Sequence, residues 1–166
     1  MNVRNAILWL VTLVVLGFVG YGIYGKETLI RYGEPVLLKL APVDPRSLIQ
    51  GDYMDLRYAI AADLEQEELP WRGKLVIRLD DQDVAHFVRV DDGTPLAPGE
   101  RLLNYYRHEW TLDLGAPSYF FQEGTADRYT AAEYGELRVD AGGNSILIGL
   151  RDEELQPLGP GPDSEQ

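Results

Sequence analysis

The chain has no cysteine, two histidines, two methionines and only 15 basic residues among 166. Without cysteine the fold carries no disulfide, so an ordinary apolar core must hold it together. The same absence fits an oxidising compartment and equally a reducing one. His86 and His108 lie far apart and form no HxH or HExxH spacing, so each reads as a strand residue rather than half of a metal site. Asp80, Asp81 and Asp83, like Asp91 and Asp92, lack the glycine and closing glutamate of an EF-hand. They read as solvated turns, with weak calcium binding as the alternative; no cofactor is expected. Residues 26–166 hold 14 basic against 27 acidic residues, a formal charge of −13. That balance opposes nucleic acid and anionic membrane surfaces, and it suits solubility, basic partners or divalent cations.

Long apolar runs are also missing, with one exception. Residues 6–24 read AILWLVTLVVLGFVGYGIY, nineteen residues without a charge. As a helix they extend about 28 Å, close to the roughly 30 Å hydrocarbon core of a bilayer. An uncleaved anchor, a cleaved signal and a buried core helix are the three readings. The run exceeds the 7–15 residues usual in a signal peptide, and only Gly20-Tyr21-Gly22 resembles a cleavage site, which favours the anchor. Trp9, Tyr21 and Tyr24 near its ends suit an interfacial aromatic belt. Arg4 on one side and Lys26 and Arg31 on the other leave the positive-inside count undecided. A four- or five-residue leader bearing a charged amine is more easily left in the cytoplasm, which places the folded part outside, in the periplasm where there is one.

The remainder alternates in the manner of a mainly β domain built from antiparallel hairpins. Residues 1–25 form the anchor, 26–34 a juxtamembrane connector, 35–154 the β-rich domain and 155–166 a disordered tail of Pro, Gly and acidic residues. Strands are expected at 35–40, 52–60, 74–80, 84–90, 101–112, 117–121, 136–139 and 146–151. In 52–60, Met54, Leu56, Tyr58 and Ile60 share one face; in 74–80, Leu75, Ile77 and Leu79 do. Residues 61–69 suggest a short exposed helix ended by Pro70. Residues 126–134 predict one packed helix near the C-terminus, with Gly135 at its end. No internal repeat is present.

The segment Gly51-Asp52-Tyr53-Met54-Asp55-Leu56-Arg57-Tyr58 satisfies G-D-Y-x-x-L-x-Y at every fixed position. Tyr119-Phe120-Phe121-Gln122-Glu123-Gly124, then Tyr129, then Tyr134-Gly135-Glu136-Leu137-Arg138-Val139, then Gly149-Leu150-Arg151-Asp152-Glu153, follow in order. In these segments, over residues 5–158, the chain resembles the GDYXXLXY family of bacterial membrane-anchored proteins. The resemblance implies a single N-terminal anchor and an accessory role beside a membrane protein, and it supplies no catalytic residues.

Gly51 and Asp52 suit a turn into a strand, with Tyr53 and Arg57 on the face opposite Leu56 and Tyr58. Asp52, Tyr53 and Arg57 are thus one candidate surface for a ligand or partner, beside the plainer reading of a turn and core packing. Ser47-Leu48-Ile49-Gln50-Gly51-Asp52 also compares with the T-L-x-x-G-D run of membrane-bound signal peptidases. Val43 stands where their nucleophilic serine belongs, and no spacing supports a Ser47–Lys74 pair. Gln122 and Glu123, at a strand end before the expected helix, form the second candidate surface, with Tyr129, Glu133 and Arg138 gathered near it. The helix would put Tyr129 and Glu133 on one face. Capping or a buried ion pair is the structural alternative. Tyr105, Tyr106 and Trp110 read as packing aromatics, or as an exposed ledge for a carbohydrate or partner. The expected function is that of an extracytoplasmic binding or accessory domain for another membrane or envelope protein. The alternative is a hydrolase of envelope polymers using Glu123 with Glu133 or Asp52.

Overall fold

The computed structural model describes residues 3–41, 49–50, 53–65, 67–108 and 111–159. Asp52, with Gly51, Val43, Ser47 and Trp110, lies outside the described residues. The chain begins with a 30-residue helix, α1 (Val3–Tyr32), about 45 Å long. Its segment Ile7–Tyr32 is long and apolar enough to cross a membrane, and its most apolar stretch is not buried against the rest of the chain, though Thr28 and Leu29 near its end are partly covered. The expected connector at 26–34 is therefore helical up to Tyr32. The helix stops at Gly33, whose N–H donates to the Leu29 carbonyl at 2.8 Å. A Cβ at Gly33 would stand 2.5 Å from that carbonyl oxygen and 2.9 Å from the Arg138 Cβ, so only glycine lets helix and sheet approach this closely.

The rest is mostly antiparallel β in three small sheets. β1 (Glu34–Lys39) pairs with β9 (Tyr134–Val139), which pairs with β10 (Ser145–Arg151), which pairs with β11 (Pro157–Leu158). β2 (Ile49–Gln50), β3 (Tyr53–Asp55) and β8 (Ser118–Phe120) make the second sheet. The third runs β5 (Ala85–Val90), β4 (Arg72–Leu79), β6 (Glu100–His108), β7 (Thr111–Asp113). α2 (Ala59–Leu64) connects the second sheet to the third. The inward rows of the strands supply one core, including Val36, Leu38, Leu75, Ile77, Leu103 and Leu137, all fully buried. α1 rests on β9 and β10.

Tyr58 joins these parts. Its backbone bridges to Leu40, its Oη donates to the Ala116 carbonyl at 3.1 Å, and its residue immediately precedes α2. Its ring lies over Gly135, where an added Cβ would come within 3.0 Å of the ring and 3.3 Å of Leu147. Burial, with Asp113 adding to it, pushes the Tyr58 phenol well above its usual range.

Several expectations are corrected here. The helix expected at 126–134 is a single 3-10 turn, Ala126–Tyr129, and Tyr134 and Gly135 already belong to β9. The sheet wins because β9 is a central strand with hydrogen-bonded partners on both sides, outweighing the local preference of Ala131, Ala132 and Glu133 for helix. The exposed helix expected at 61–69 lies earlier, at Ala59–Leu64, and buries Ile60, Ala61 and Leu64 on one face. The strand expected at 52–60 ends at Asp55. That expected at 101–112 is two strands, β6 and β7, folded back on each other. Order also continues past Glu154, since Pro157 and Leu158 pair with Arg151 and Leu150. Arg151 anchors that end, with Nε donating to Glu136 Oε2 and Nη1 to the Leu155 carbonyl, each at 2.7 Å.

Two substitutions test this account. Gly135→Ala forces a methyl against the Tyr58 ring and is expected to destabilise the protein by about 1–3 kcal/mol, whereas Tyr58→Phe loses one hydrogen bond, about 1 kcal/mol. Equilibrium denaturation of the detergent-solubilised chain measures both; a Gly135→Ala midpoint equal to wild type contradicts the packing. Glu136→Gln leaves the partly buried Arg151 without its carboxylate and is expected to cost about 1–3 kcal/mol. An unchanged midpoint for Glu136→Gln means that this ion pair is dispensable.

Candidate functional site

The candidate residues separate into surface groups, a buried support and a junction with the helix. Tyr53 opens β3 and pairs in register with Phe120 of β8, their rings 5.8 Å apart. Tyr53 is half-buried, and Phe120 leaves 75% of its surface exposed. Met54, between them and the core, is buried and pairs with Tyr119. The period-two alternation of β3 thus puts Tyr53 on the face opposite Met54, as expected. Arg57 is exposed, and its Nη2 donates to Glu65 Oε1 at 2.7 Å, an ion pair linking the motif to the end of α2.

Past Phe120 the chain makes a tight turn. The Gln122 carbonyl accepts from the Thr125 N–H at 3.1 Å and from Thr125 Oγ1 at 2.6 Å. Gly124 has φ +78°, the left-handed conformation that this turn requires and that glycine adopts without strain. Gln122 and Glu123 therefore project from the turn, both exposed. The alternative of a capped helix does not apply, because Thr125 begins only a 3-10 turn and makes no side-chain cap.

Tyr129 is not on this surface. Only 4% of it is exposed, and its ring sits between Phe121, stacked at 5.0 Å, and Tyr119, edge-on at 5.2 Å. It supports the turn from beneath. Burial, reinforced by the Tyr129 hydroxyl, pushes the Tyr119 phenol up to about 12. Glu133 is exposed just before β9 and shares no helix face with Tyr129, since the helix is absent. Its backbone is held on both sides: its carbonyl accepts from Leu40 N–H at 2.8 Å, and its N–H donates to the Arg151 carbonyl at 2.9 Å. Arg138 belongs to another place altogether. It lies on β9 opposite Pro35 and Ile146, against Gly33, with its Nε buried and without a hydrogen-bond partner among the described residues.

The structure thus brings Tyr53 and the Gln122–Glu123 turn onto adjoining parts of the β3–β8 ladder, and assigns Tyr129 to packing and Arg138 to the helix junction. The histidines have separate partners. His86 Nε2 lies 3.0 Å from Asp80 Oδ2, and His108 Nε2 lies 3.7 Å from Asp113. The His86 hydrogen bond, joined by the Gln82 N–H, lowers the Asp80 carboxyl below its usual range. Among the described residues no group of three or more His, Cys, Asp or Glu side chains is placed to hold a metal ion.

Sequence reasoning missed a charged cluster centred on Glu100 and Arg101. Glu100 is nearly buried, accepts from the Ala97 N–H at 3.0 Å and lies 3.5 Å from both Arg78 and Arg89. Beside it Arg101 pairs with Glu34 through both guanidinium and carboxylate ends, which raises the Arg101 pKa further. That pair lines a cleft of about 540 Å³ between the last turns of α1 and the β6 and β9 strands. Arg78 and Glu100 stand opposite each other in the β4–β6 register, a pairing that alternation within either strand does not reveal.

The segments that carry the family resemblance meet in space. The first motif pairs with Tyr119 and Phe120, its Tyr58 packs on Gly135, and Glu136 of the next segment binds Arg151 of the last. The family model described as GDYXXLXY protein matches residues 15–150. No curated protein and no solved structure matches the chain. With that match spanning most of its length, the chain belongs to the GDYXXLXY protein family.

Proposed function

We propose that this protein is a membrane-anchored binding or accessory subunit whose β domain lies outside the cytoplasmic membrane and engages another membrane or envelope protein. The observation that carries the reading is the unburied apolar helix running without a break into the sheet it rests on. A stretch with Phe18 and Tyr21 each 80% exposed is costly in water and suits hydrocarbon or another apolar helix. The domain's acidic surface opposes adsorption to anionic lipid, so the helix and not the surface charge provides attachment. Confinement at the bilayer raises the effective concentration of the domain near a membrane partner, and weak contacts then suffice.

The face offered to the partner is the Gln122–Glu123 turn with Tyr53 on the neighbouring strand and Arg57 just beyond its end. An exposed amide, a carboxylate and an aromatic edge on a backbone held by Tyr129 suit recognition. The test is photocrosslinking in cells of the full-length protein, with a photoreactive residue at position 122 or 123 and mass spectrometry of the adducts. One dominant membrane-protein adduct is expected at both positions. Absence of any adduct while the protein is properly inserted overturns the accessory reading, as does turnover of an envelope polymer by the purified chain.

A further inference from the structure

One edge of the β domain carries an apolar side chain, Phe120, that touches Tyr53 on one side and is otherwise uncovered. Phe120 is 75% exposed, the most exposed large apolar residue among the described residues beyond Tyr32. It lines a cleft of about 340 Å³ that also reaches the helix. Lys26 of α1 lines one side of that cleft, and Tyr119, Phe120, Ile146 and Leu147 of β8 and β10 line the other. Lys26 stands two residues beyond Tyr24, where the uncharged run ends, hence about 3 Å further along the helix axis. Phe120 thus shares a cleft with the residue at which the apolar side chains of the helix give way to charge.

We infer that this edge is a bilayer contact. Phe120 enters the boundary between headgroups and acyl chains, the Tyr53 ring beside it sits with its hydroxyl toward water, and the Lys26 ammonium faces lipid phosphate. The inference rests on the membrane-anchor reading and adds a second point of attachment to it. Three observations favour lipid over protein as the occupant. The patch shares a cleft with the helix, it pairs two aromatic rings as interfacial belts do, and its cationic group is the first charge after the uncharged run. The effect is to hold one edge of the domain down, so that the Gln122–Glu123 turn is presented beside the membrane and at a fixed angle to it.

Because the chain has no cysteine, single substitutions accept one nitroxide each. Phe120→Cys, Val14→Cys and Trp71→Cys, each in the full-length chain, are labelled and reconstituted in phosphatidylcholine vesicles. Power-saturation EPR then compares collision with oxygen, which concentrates in lipid, and with a water-soluble nickel chelate. Trp71 is 64% exposed and lies beside Arg72, at the end of β4 about 20 Å from Arg78, whose partner Glu100 borders the helix; it serves as the aqueous reference. The expected oxygen-to-nickel ratio at position 120 is several-fold above that at 71 and below that at 14. A ratio at 120 equal to that at 71, with 14 in lipid, overturns the contact and leaves the anchor standing. Shielding of 120 from both reagents assigns the patch to a protein partner and likewise overturns it. A nickel-accessible label at 14 overturns the anchor itself, and this contact with it. Should Phe120→Cys lower the denaturation midpoint, Ile146→Cys on the facing strand reads the same cleft with the same expectations.

Discussion

The seat of Tyr58 on Gly135 is the contact on which the domain depends. A tyrosine ring brings a large apolar area into the core, but its hydroxyl must be satisfied once buried. The Ala116 carbonyl does this, and the absence of a side chain at Gly135 gives the ring its space. One residue thereby ties the lead-in to β8, the centre of the first sheet and the start of α2 into a common core. The three sheets are each small, of three or four strands, and their inward rows share one core to which Tyr58 belongs.

This arrangement also explains the order of the family segments along the chain. They are not a string of reactive groups. The first supplies the strand that pairs with Tyr119 and Phe120 of the second, the Tyr134–Val139 segment supplies the glycine under Tyr58, and the last supplies the arginine that closes on Glu136. The motif residues pointing inward are therefore accounted for by packing. The outward ones, Tyr53 and Arg57, are held by Phe120 and Glu65 at the domain surface, where a binding role remains open to them.

Much of the β architecture was legible because strands with one buried face alternate with period two, and that pattern survives in single sequences. Met54, Leu56 and Tyr58 point inward as their spacing says, and the two long hairpins occur where their turns predict. The helix at 126–134 was misread because Ala131, Ala132 and Glu133 carry helix propensity while the demand for a central strand at Tyr134 is non-local. In 59–64 the clue was present: Ile60, Ala61 and Leu64 fall on one helical face, but the Glu-rich stretch after them drew the helix too far along and outward. The candidate site was half legible. Tyr53, Gln122 and Glu123 are surface groups, whereas nothing local distinguishes a tyrosine that supports a turn from one that offers a contact, and Tyr129 is the former. Phe120 gave no signal, since three consecutive aromatics at 119–121 do not declare which of them faces out.

The missing side chain at Gly33 has a mechanical consequence. With the Leu29 carbonyl and the Arg138 Cβ both within 2.9 Å of where a Cβ would stand, the joint is closely packed, and under the anchor reading proposed above helix and sheet would tilt together. Transmembrane helices tilt by about 20° on average, and for a rigid body this moves a point some 20 Å off the axis by about 7 Å toward or away from the bilayer. Tilting is one way a helix longer than the local hydrocarbon thickness accommodates the mismatch. A thicker bilayer would straighten the helix and lift one rim of the domain, and a thinner one would press it down, making lipid composition a mechanical input to whatever the domain holds.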